Sequence, residues 1–280
     1  MIIPKNYLNH GIRLDGRTPL TIRSLTILIG SKGGFCDLTQ GKTRVIIFSF
    51  IAPSINTKHA LFSKVCFSFK FFYQNIIKKS FKLFYQNKKD FFFLVQLILP
   101  LSNFFKNWCL DQTANKISGF KPKLGFKIGL IENDGNFQDL IALGVCIAFK
   151  SLEIPLVEFH GQHGILKWKT NEFKEMKTRE LFFVSTTFSF HSIFDGEILV
   201  LIDPTYLEEF YSNSLLFIFI EGQDGIKQLK YGIESGLNEE TIITIYRLSV
   251  KNFSFLGKLL KKVLIQKISS LVNEEIVVIA

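Results

Sequence analysis

The sequence predicts an α/β (α+β) chain made of two βαβα-like halves packed into one unit. Blocks rich in Ile, Val and Thr, bounded by Gly and Pro, are followed by stretches with helical spacing, and this order occurs twice along the chain. Hydrophobic residues make up 47% of 280 residues, which supplies a packed core and excludes wholesale disorder.

Residues 20–30 and 43–52 read as strands because Ile, Thr and Val crowd them. Gly30, Gly33, Gly34 and Gly41 mark turns between them, so antiparallel strands joined by short loops are expected, with Pro53 closing the unit. Residues 54–87 mix Phe, Lys and Asn with no clean period. From 91 to 107 the spacing becomes helical, with Pro100 kinking or delaying it. Residues 124–132 alternate as a strand, with Phe126, Ile128 and Leu130 on one face. Asp134-Gly135-Asn136 then turns into a helix reaching Ser151. Phe137, Ile141, Val145 and Phe149 recur there at helical spacing, Gly144 allows a neighbour to approach closely, and Pro155 stops the helix.

The second half repeats the pattern. Strands are expected at 181–190, 198–203, 215–221 and 226–230, followed by helices at 239–250 and 255–269. The last helix sets Leu256, Leu260 and Leu264 against Lys258, Lys261 and Lys262, a basic amphipathic pattern that more often marks a solvated face than a membrane or RNA contact. The expected division is 11–155 for the first part, 156–269 for the second, and 270–280 for a short C-terminal tail.

Composition narrows the function classes. A net charge of +10 favours an anionic partner, nucleic acid first among them, with the charge spread over a folded surface rather than gathered in a tail. The 31 Phe, alongside abundant Lys, Ile and Asn, read as a coding bias toward A and T, which also inflates Lys. Cys36, Cys66, Cys109 and Cys146 form no Cys-x-x-Cys pair, so buried free thiols are expected and a zinc site is not. His160 and His163 sit in a turn-like Gly161/Gly164 context with no nameable further ligands, so no metal is expected. No apolar signal core lies in residues 1–10, and the longest apolar runs are too short to span a bilayer, so a soluble intracellular protein without a membrane partner is expected. Phosphate-loop, nucleophile-elbow and His-Glu-x-x-His motifs are absent.

The informative run is Gly11-Ile12-Arg13-Leu14-Asp15-Gly16-Arg17, then Arg23, Gly30, Gly34 and Gly41-Lys42-Thr43-Arg44-Val45. It resembles the opening of the RNase PH and polynucleotide phosphorylase superfamily, where an Arg-x-Asp-Gly-Arg segment precedes the first strand and a Gly-x-Thr turn leads into a later one. Asn133-Asp134-Gly135-Asn136 with Asp139, and Ile202-Asp203-Pro204-Thr205 followed by Glu208-Glu209, resemble further motifs of the exosome ring subunits in that superfamily. The resemblance runs from about Gly11 to Val250 and is weak between Ser54 and Leu124.

The resemblance implies the RNase PH fold and a subunit of the RNA exosome. Six such subunits form a hetero-hexameric ring, an S1/KH-type cap sits on one face, and single-stranded RNA is threaded to an associated hydrolytic exoribonuclease. It implies 3′–5′ RNA processing and degradation, rRNA maturation included, in nucleus and cytoplasm; the coding bias adds a relict endosymbiont nucleus to the candidate compartments. Active members use phosphate as the nucleophile, and Arg suits that task because its planar fork holds phosphate through two bonds.

By the same resemblance, Asp134-Gly135-Asn136-Phe137-Gln138 stands where active subunits carry Asp-Gly-Gly-Thr-Arg, so Gln138 replaces the phosphate-gripping arginine. Ile98, Leu99 and Asn103 stand where RNA-gripping members place arginines on a mid-domain helix, and no Arg occurs between Arg44 and Arg179. Asp203, Glu208 and Glu209 match the stretch of catalytic carboxylates, yet without the clamp they are read as turn structure. The expectation is therefore a catalytically inactive homologue with no catalytic residues, no cofactor and no metal. Residual phosphate-dependent exoribonuclease activity is the alternative, and a decayed or repurposed protein is a further rival. Lys121, Lys123 and Lys127 are the candidates for attracting RNA. Arg13 and Arg17 are weighed between contact with RNA or a neighbouring subunit and structural pairing, with Asp15 as one local partner.

Overall fold

The computed structural model describes residues 12–30, 33–54, 66–71, 101, 121–160, 165–175, 182–192, 198–221, 226–231 and 238–269. The first half opens with β1 (Leu25–Ile29), β2 (Phe35–Gln40), β3 (Thr43–Ser54), β4 (Cys66–Phe71) and β5 (Lys121–Glu132), followed by helix α1 (Phe137–Lys150). These strands form one sheet in the order β1-β2-β3-β5-β4, antiparallel except that β4 runs parallel to β5. A two-stranded ribbon of β6 (Glu153–His160) and β7 (Ile165–Glu175) comes next. The second half holds β8 (Phe183–Ser192), β9 (Ile198–Ile202), the short helix α2 (Tyr206–Tyr211), β10 (Ser214–Glu221), β11 (Ile226–Tyr231) and the long helix α3 (Glu239–Ser269). Its sheet has the order β11-β10-β8-β9.

Alternation along β3 explains how the first sheet is covered. Val45, Ile47 and Ser49 are buried, whereas Arg44, Phe48 and Phe50 between them are exposed. Helix α1 lies on β2 and β3 and also touches β8, so it is packed from two sides. Twelve of its fourteen residues are buried, from Phe137 through Phe149 with only Asp139 of that run excepted. A helix apolar all round belongs in a core; the single apolar face read from the sequence is part of a helix that buries every side. The larger core joins β1, β2, β3, β5 and α1 to Phe183, Phe219, Leu259, Leu260 and Val263, so it crosses residue 155. A second core gathers Phe188, Phe190, Ile202, Leu216, Ile218, Ile220 and Ile245.

Several expectations are corrected. Strand β1 begins at Leu25, because the preceding residues are drawn into a side-chain network described below. Strand β2 lies between the glycines that mark the turns; Asp37, poor in strands, is held there by Arg44 at 2.7 Å. Pro53 does not end β3. It sits opposite Pro122 on the stretch of β3 that runs past the end of β2, where no ladder bond needs its missing N–H. Pro155 does not stop α1, which ends at Ser151, whose N–H donates to the carbonyls of Ile147 and Phe149. Pro155 instead occupies β6 at a register shift of the ribbon.

The two helices expected at 239–250 and 255–269 are one helix. Polar side chains near the expected break bond without breaking it: Ser249 Oγ donates to the Ile245 carbonyl at 2.9 Å, and Asn252 Nδ2 donates to Thr186 Oγ1 at 3.0 Å, although Asn252 Oδ1 has no partner. The helix expected at 91–107 lies outside the described residues apart from Leu101, which is helical and buried. Cys36 and Cys146 are free and buried, and burial pushes the Cys146 thiol up to about 11. No helix among the described residues is long and apolar enough to cross a membrane.

Gly144 is where α1 and the first sheet come closest. A Cβ there would lie 2.5 Å from Leu38 Cδ1 and 2.6 Å from Ile47 Cδ1. Gly144→Val is expected to lower the unfolding free energy by about 1–3 kcal/mol through overpacking. Urea denaturation of the two proteins checks this, and an unchanged midpoint would contradict the close approach.

Candidate functional site

Three chain segments meet at Asp203: the loop before β1, the turn between β5 and α1, and the β9–α2 connection. Asp203 follows β9 with φ 51°, a left-handed conformation that Asp adopts more readily than most residues. Pro204 and Thr205 then lead into α2. Thr205 Oγ1 accepts the Glu208 N–H, and Glu208 Oε2 accepts the Thr205 N–H at 2.7 Å, which is a full capping box. The paired acids of the sequence thus have different tasks. Glu208 points inward and is 2% exposed, while Glu209 is half-buried.

Arg13 is 1% exposed and spends all its donors inside the chain. Its Nε and Nη2 grip Glu208 Oε1 and Oε2 at 2.9 and 2.6 Å. Its Nη1 donates to the Ile202 carbonyl at 2.8 Å and the Thr21 carbonyl at 3.3 Å, and Nη2 also reaches the Asp203 carbonyl at 2.8 Å. A guanidinium has five N–H groups, so none remains for a phosphate. Arg17 Nε bonds Asp15 Oδ2 at 2.6 Å, and its Nη1 reaches Asp203 Oδ2 at 3.0 Å. Burial works against ionisation of Asp15, but its hydrogen bonds from Arg17 outweigh this and hold its carboxyl below the ordinary value.

Arg23 completes the arrangement. Its Nη2 and Nε grip Asp203 Oδ1 and Oδ2 at 2.7 and 3.0 Å, and its backbone N–H adds a bond to Oδ2 at 2.8 Å. The same guanidinium donates to the carbonyls of Asp134 and Gly135, at 2.8 and 3.1 Å. Asn136 Nδ2 supplies Asp203 Oδ1 with another donor at 2.8 Å, and the Asn136 N–H donates to Glu209 Oε1 at 2.6 Å.

The turn that delivers Asn136 is set by steric necessity. Gly135 has φ 89°, and a Cβ on it would come within 2.4 Å of the Thr205 carbonyl carbon and the Tyr206 nitrogen. Thr43 bridges the turn, donating to the Gly135 carbonyl at 2.8 Å and accepting the Asp134 N–H at 3.0 Å. This accounts for the Gly-x-Thr and Asp-Gly-Asn motifs as two halves of one contact.

The candidate residues separate into two groups. Arg13, Arg17, Asp203 and Glu208 are joined in the knot, with Glu209 attached through Asn136. Gln138 stands nearby in the first turn of α1, 2% exposed, with no hydrogen-bond partner for its Oε1. Lys127 is elsewhere, exposed on β5, which also carries Lys121 and Lys123; the side chains of those two, and of His160, are outside the described set, as is His163. Arg23, Asn136 and Asp139 are members or neighbours of the knot that were quoted in motifs but not picked out as site residues. No spacing rule marks Arg23; its signal is the motif resemblance alone.

Two carboxyls beside the knot are shifted upward. Burial raises Asp139 to about 6, against the hydrogen bonds it receives from Ser185 and Thr187. Burial raises Glu209 to about 8; the Asn136 N–H and Arg23 lower it, and the neighbouring carboxylates Asp139 and Asp203 raise it further. A cavity behind the knot, lined by polar residues including Asn136, Asp139, Ser185 and Asp203 together with apolar ones, measures about 50 Å3, far below the size of a nucleotide pocket. No group of three or more His, Cys, Asp or Glu among the described residues could hold a metal ion.

Comparison with solved structures identifies the fold. The chain superposes on an archaeal exosome core chain with TM-score 0.63 and 15% identity, covering 92% of this chain and 96% of that one. A chain of the Archaeoglobus fulgidus exosome with RNA bound to the active site gives TM-score 0.64 and 16% identity, covering 91% and 97%. Rice (Oryza sativa) Rrp46 gives TM-score 0.55 and 15% identity, covering 90% and 99%. No protein-family model and no curated protein matches the sequence. The fold is the RNase PH fold of exosome core subunits, in agreement with the sequence reading.

Two predictions follow from the knot. Arg13→Ala strands a buried carboxylate on Glu208 and is expected to cost ~3–5 kcal/mol of unfolding free energy, measured by chemical denaturation. The raised carboxyls set a pH dependence. Because their folded values lie above the ordinary carboxyl values of 3.8 and 4.5, the stability they contribute is full below about pH 4 and is lost as pH rises through about 6 and about 8. Melting curves from pH 5 to 9 should show this decline, and Glu209→Gln should remove its upper part.

Proposed function

We propose that this chain is a non-catalytic subunit of the RNA exosome core ring, of the ribosomal RNA-processing protein 45 type. It contributes subunit interfaces and RNA-facing surface to 3′–5′ processing and degradation, including rRNA maturation, in nucleus and cytoplasm. Its partners are other RNase PH-like subunits in a hetero-hexameric ring, S1/KH-type cap proteins, single-stranded RNA and an associated hydrolytic exoribonuclease. The likeness of the fold to exosome core chains, one of them from an exosome with RNA bound to its active site, supports the ring assignment.

One observation carries the non-catalytic reading: the cations and carboxylates of the motif region neutralise one another inside the chain. Arg13 is matched by Glu208, Arg23 by Asp203, and Arg17 by Asp15 and Asp203. Phosphorolysis brings a phosphate dianion to an RNA phosphodiester, and that repulsion has to be offset by cations free to face it. Gln138, at the position of the missing arginine, is neutral and buried. Losing one preorganised contact of this kind costs ~3 kcal/mol of transition-state stabilisation, and several are absent.

Residual phosphate-dependent activity is the second reading, and Glu209 is the observation that favours it. The residue is only half-buried, yet burial of its carboxyl raises it to about 8, the direction of shift that a general acid needs.

Affinity purification of the chain from its own cells, with mass spectrometry and a phosphorolysis assay on single-stranded RNA, tests the proposal. Several RNase PH-like and S1-domain proteins should be recovered, and the purified chain should release no nucleoside diphosphate when phosphate is added. Recovery of the chain alone, with phosphate-dependent shortening of RNA that Glu209→Gln abolishes, would establish the second reading instead.

A further inference from the structure

The knot leaves the net positive charge of the chain unused, and the outer side of the first sheet offers a place for it. On β3, Phe48 is 49% and Phe50 38% exposed, on a strand whose alternate residues Val45, Ile47 and Ser49 are buried. Each ring rests on a neighbour. Phe48 leans on Phe35, its register partner on β2, with centroids 4.7 Å apart. Phe50 lies over Gly125, where an added Cβ would come within 2.3 Å of its Cζ. Cation and ring are adjacent: Lys127, opposite Phe48 in the register, carries its Nζ 5.4 Å from the Phe50 centroid.

Covering Gly125 and Phe35 is the structural reading of these rings, and it is satisfied by their inner surfaces alone. Their outer surfaces are exposed side by side, the kind of apolar patch that marks an interaction site. The charge of the face indicates what. Lys127 is exposed, and the register continues along β5 to Lys123 opposite Ala52 and Lys121 opposite Ser54. Among the described residues the nearby carboxylates are spoken for or remote: Asp37 is buried and paired with Arg44, and Glu132 lies at the far end of β5, opposite Arg44.

We propose that this face binds single-stranded RNA, stacking unpaired bases on Phe48 and Phe50 while Lys127 meets the phosphates. Two residues along a strand lie about 7 Å apart, within the reach of one nucleotide of extended backbone. A sheet face with exposed aromatics can stack unpaired bases, and stacking tolerates any sequence because every base has a π-face. A duplex hides those faces, so the site discriminates against it. The inference rests on the reading of RNA as partner but not on ring assembly.

The test is fluorescence anisotropy of the full chain with a labelled oligouridylate of about ten nucleotides, a length within the usual range for such platforms, and with a duplex of equal length. The single strand should bind more tightly than the duplex. Phe48→Leu/Phe50→Leu, which keeps apolar cover over Phe35 and Gly125, should weaken binding by about tenfold or more, while Phe48→Trp retains it. Lys127→Gln should reduce the salt slope by about one. Equal affinity of the leucine double variant and the parent, or equal binding of duplex and single strand, overturns the proposal. Should the double variant unfold, Lys127→Gln with an unchanged salt slope overturns it. Photocrosslinking in the complex purified from cells separates this from the ring proposal: RNA attached to the peptide holding Phe48 supports the face, and a neighbouring protein attached there, without RNA, overturns it while leaving ring assembly intact.

Discussion

The carboxylate of Asp203 is the point on which the chain's long-range order depends. It accepts from Arg17, from the backbone and side chain of Arg23, and from Asn136. Those donors belong to the segment before β1 and to the turn before α1, while Asp203 itself belongs to the end of β9. A buried carboxylate is tolerable only when its lone pairs are matched, and here every donor comes from far away in sequence. The arrangement therefore orders three segments at once. It also explains why Gly135 and Thr43 are needed nearby: the turn presenting Asn136 has to pass within contact of the backbone at Thr205 and Tyr206, and Thr43 is the bridge that holds it there.

This dependence bears on function. A site that grips phosphate must keep cations solvated or loosely held until the ligand arrives. Arg13 is the opposite case, with its fork closed on Glu208 and its remaining donors on backbone carbonyls. Buried pairs of this kind add little net stability compared with apolar packing, yet they are expensive to break. Here they tie the leading segment to two places at once, to Glu208 through Arg13 and to Asp203 through Arg17 and Arg23. In that sense the acids that resemble catalytic ones contribute to specifying the structure, and the neutral Gln138 beside them is consistent with a place where no anion is bound.

Much of the fold was legible because periodicity and burial agree. The alternation at Phe126, Ile128 and Leu130 and the helical spacing from Phe137 to Phe149 both correspond to buried faces. Strands β8 to β11 match the expected ranges to within two residues at each end, whereas the ribbon of β6 and β7 was not expected. Failures arose where a local rule lost to context. Pro53 and Pro155 looked like stops, but each lies where the ladder does not use its missing N–H or where the register shifts. Residues 251–254 looked like a break, but Asn252 finds a partner on β8 and the helix continues. Members of the knot could be quoted from motif order, whereas its wiring could not: no periodicity links Arg23 to Asp203, 180 residues away. The split between Glu208 and Glu209, one sealed and one half-buried, is likewise a consequence of the capping box and of where α2 sits.

The distribution of charge is the last link between composition and function. Net charge alone did not distinguish an RNA partner from a coding bias toward lysine. Location does more. The arginines of the opening motif are consumed by internal pairing and contribute almost nothing to the outer field, because each faces a carboxylate at hydrogen-bond distance. Lys127 has no such partner at Asp37, which is already taken by Arg44 at 2.7 Å, and it stands beside two partly exposed aromatic rings, Phe48 and Phe50. Exposed aromatics without charge would suggest a protein interface, and lysines without aromatics a merely solvated surface. Their combination on one regular sheet face is what nucleic acid with unpaired bases requires, since such a ligand presents flat apolar rings and anions in alternation. The chain thus separates two kinds of cation: Arg13 and Arg23, whose forks suit fixed geometry, are buried in the interior, and Lys127, a strongly hydrated point charge, stays exposed on the sheet.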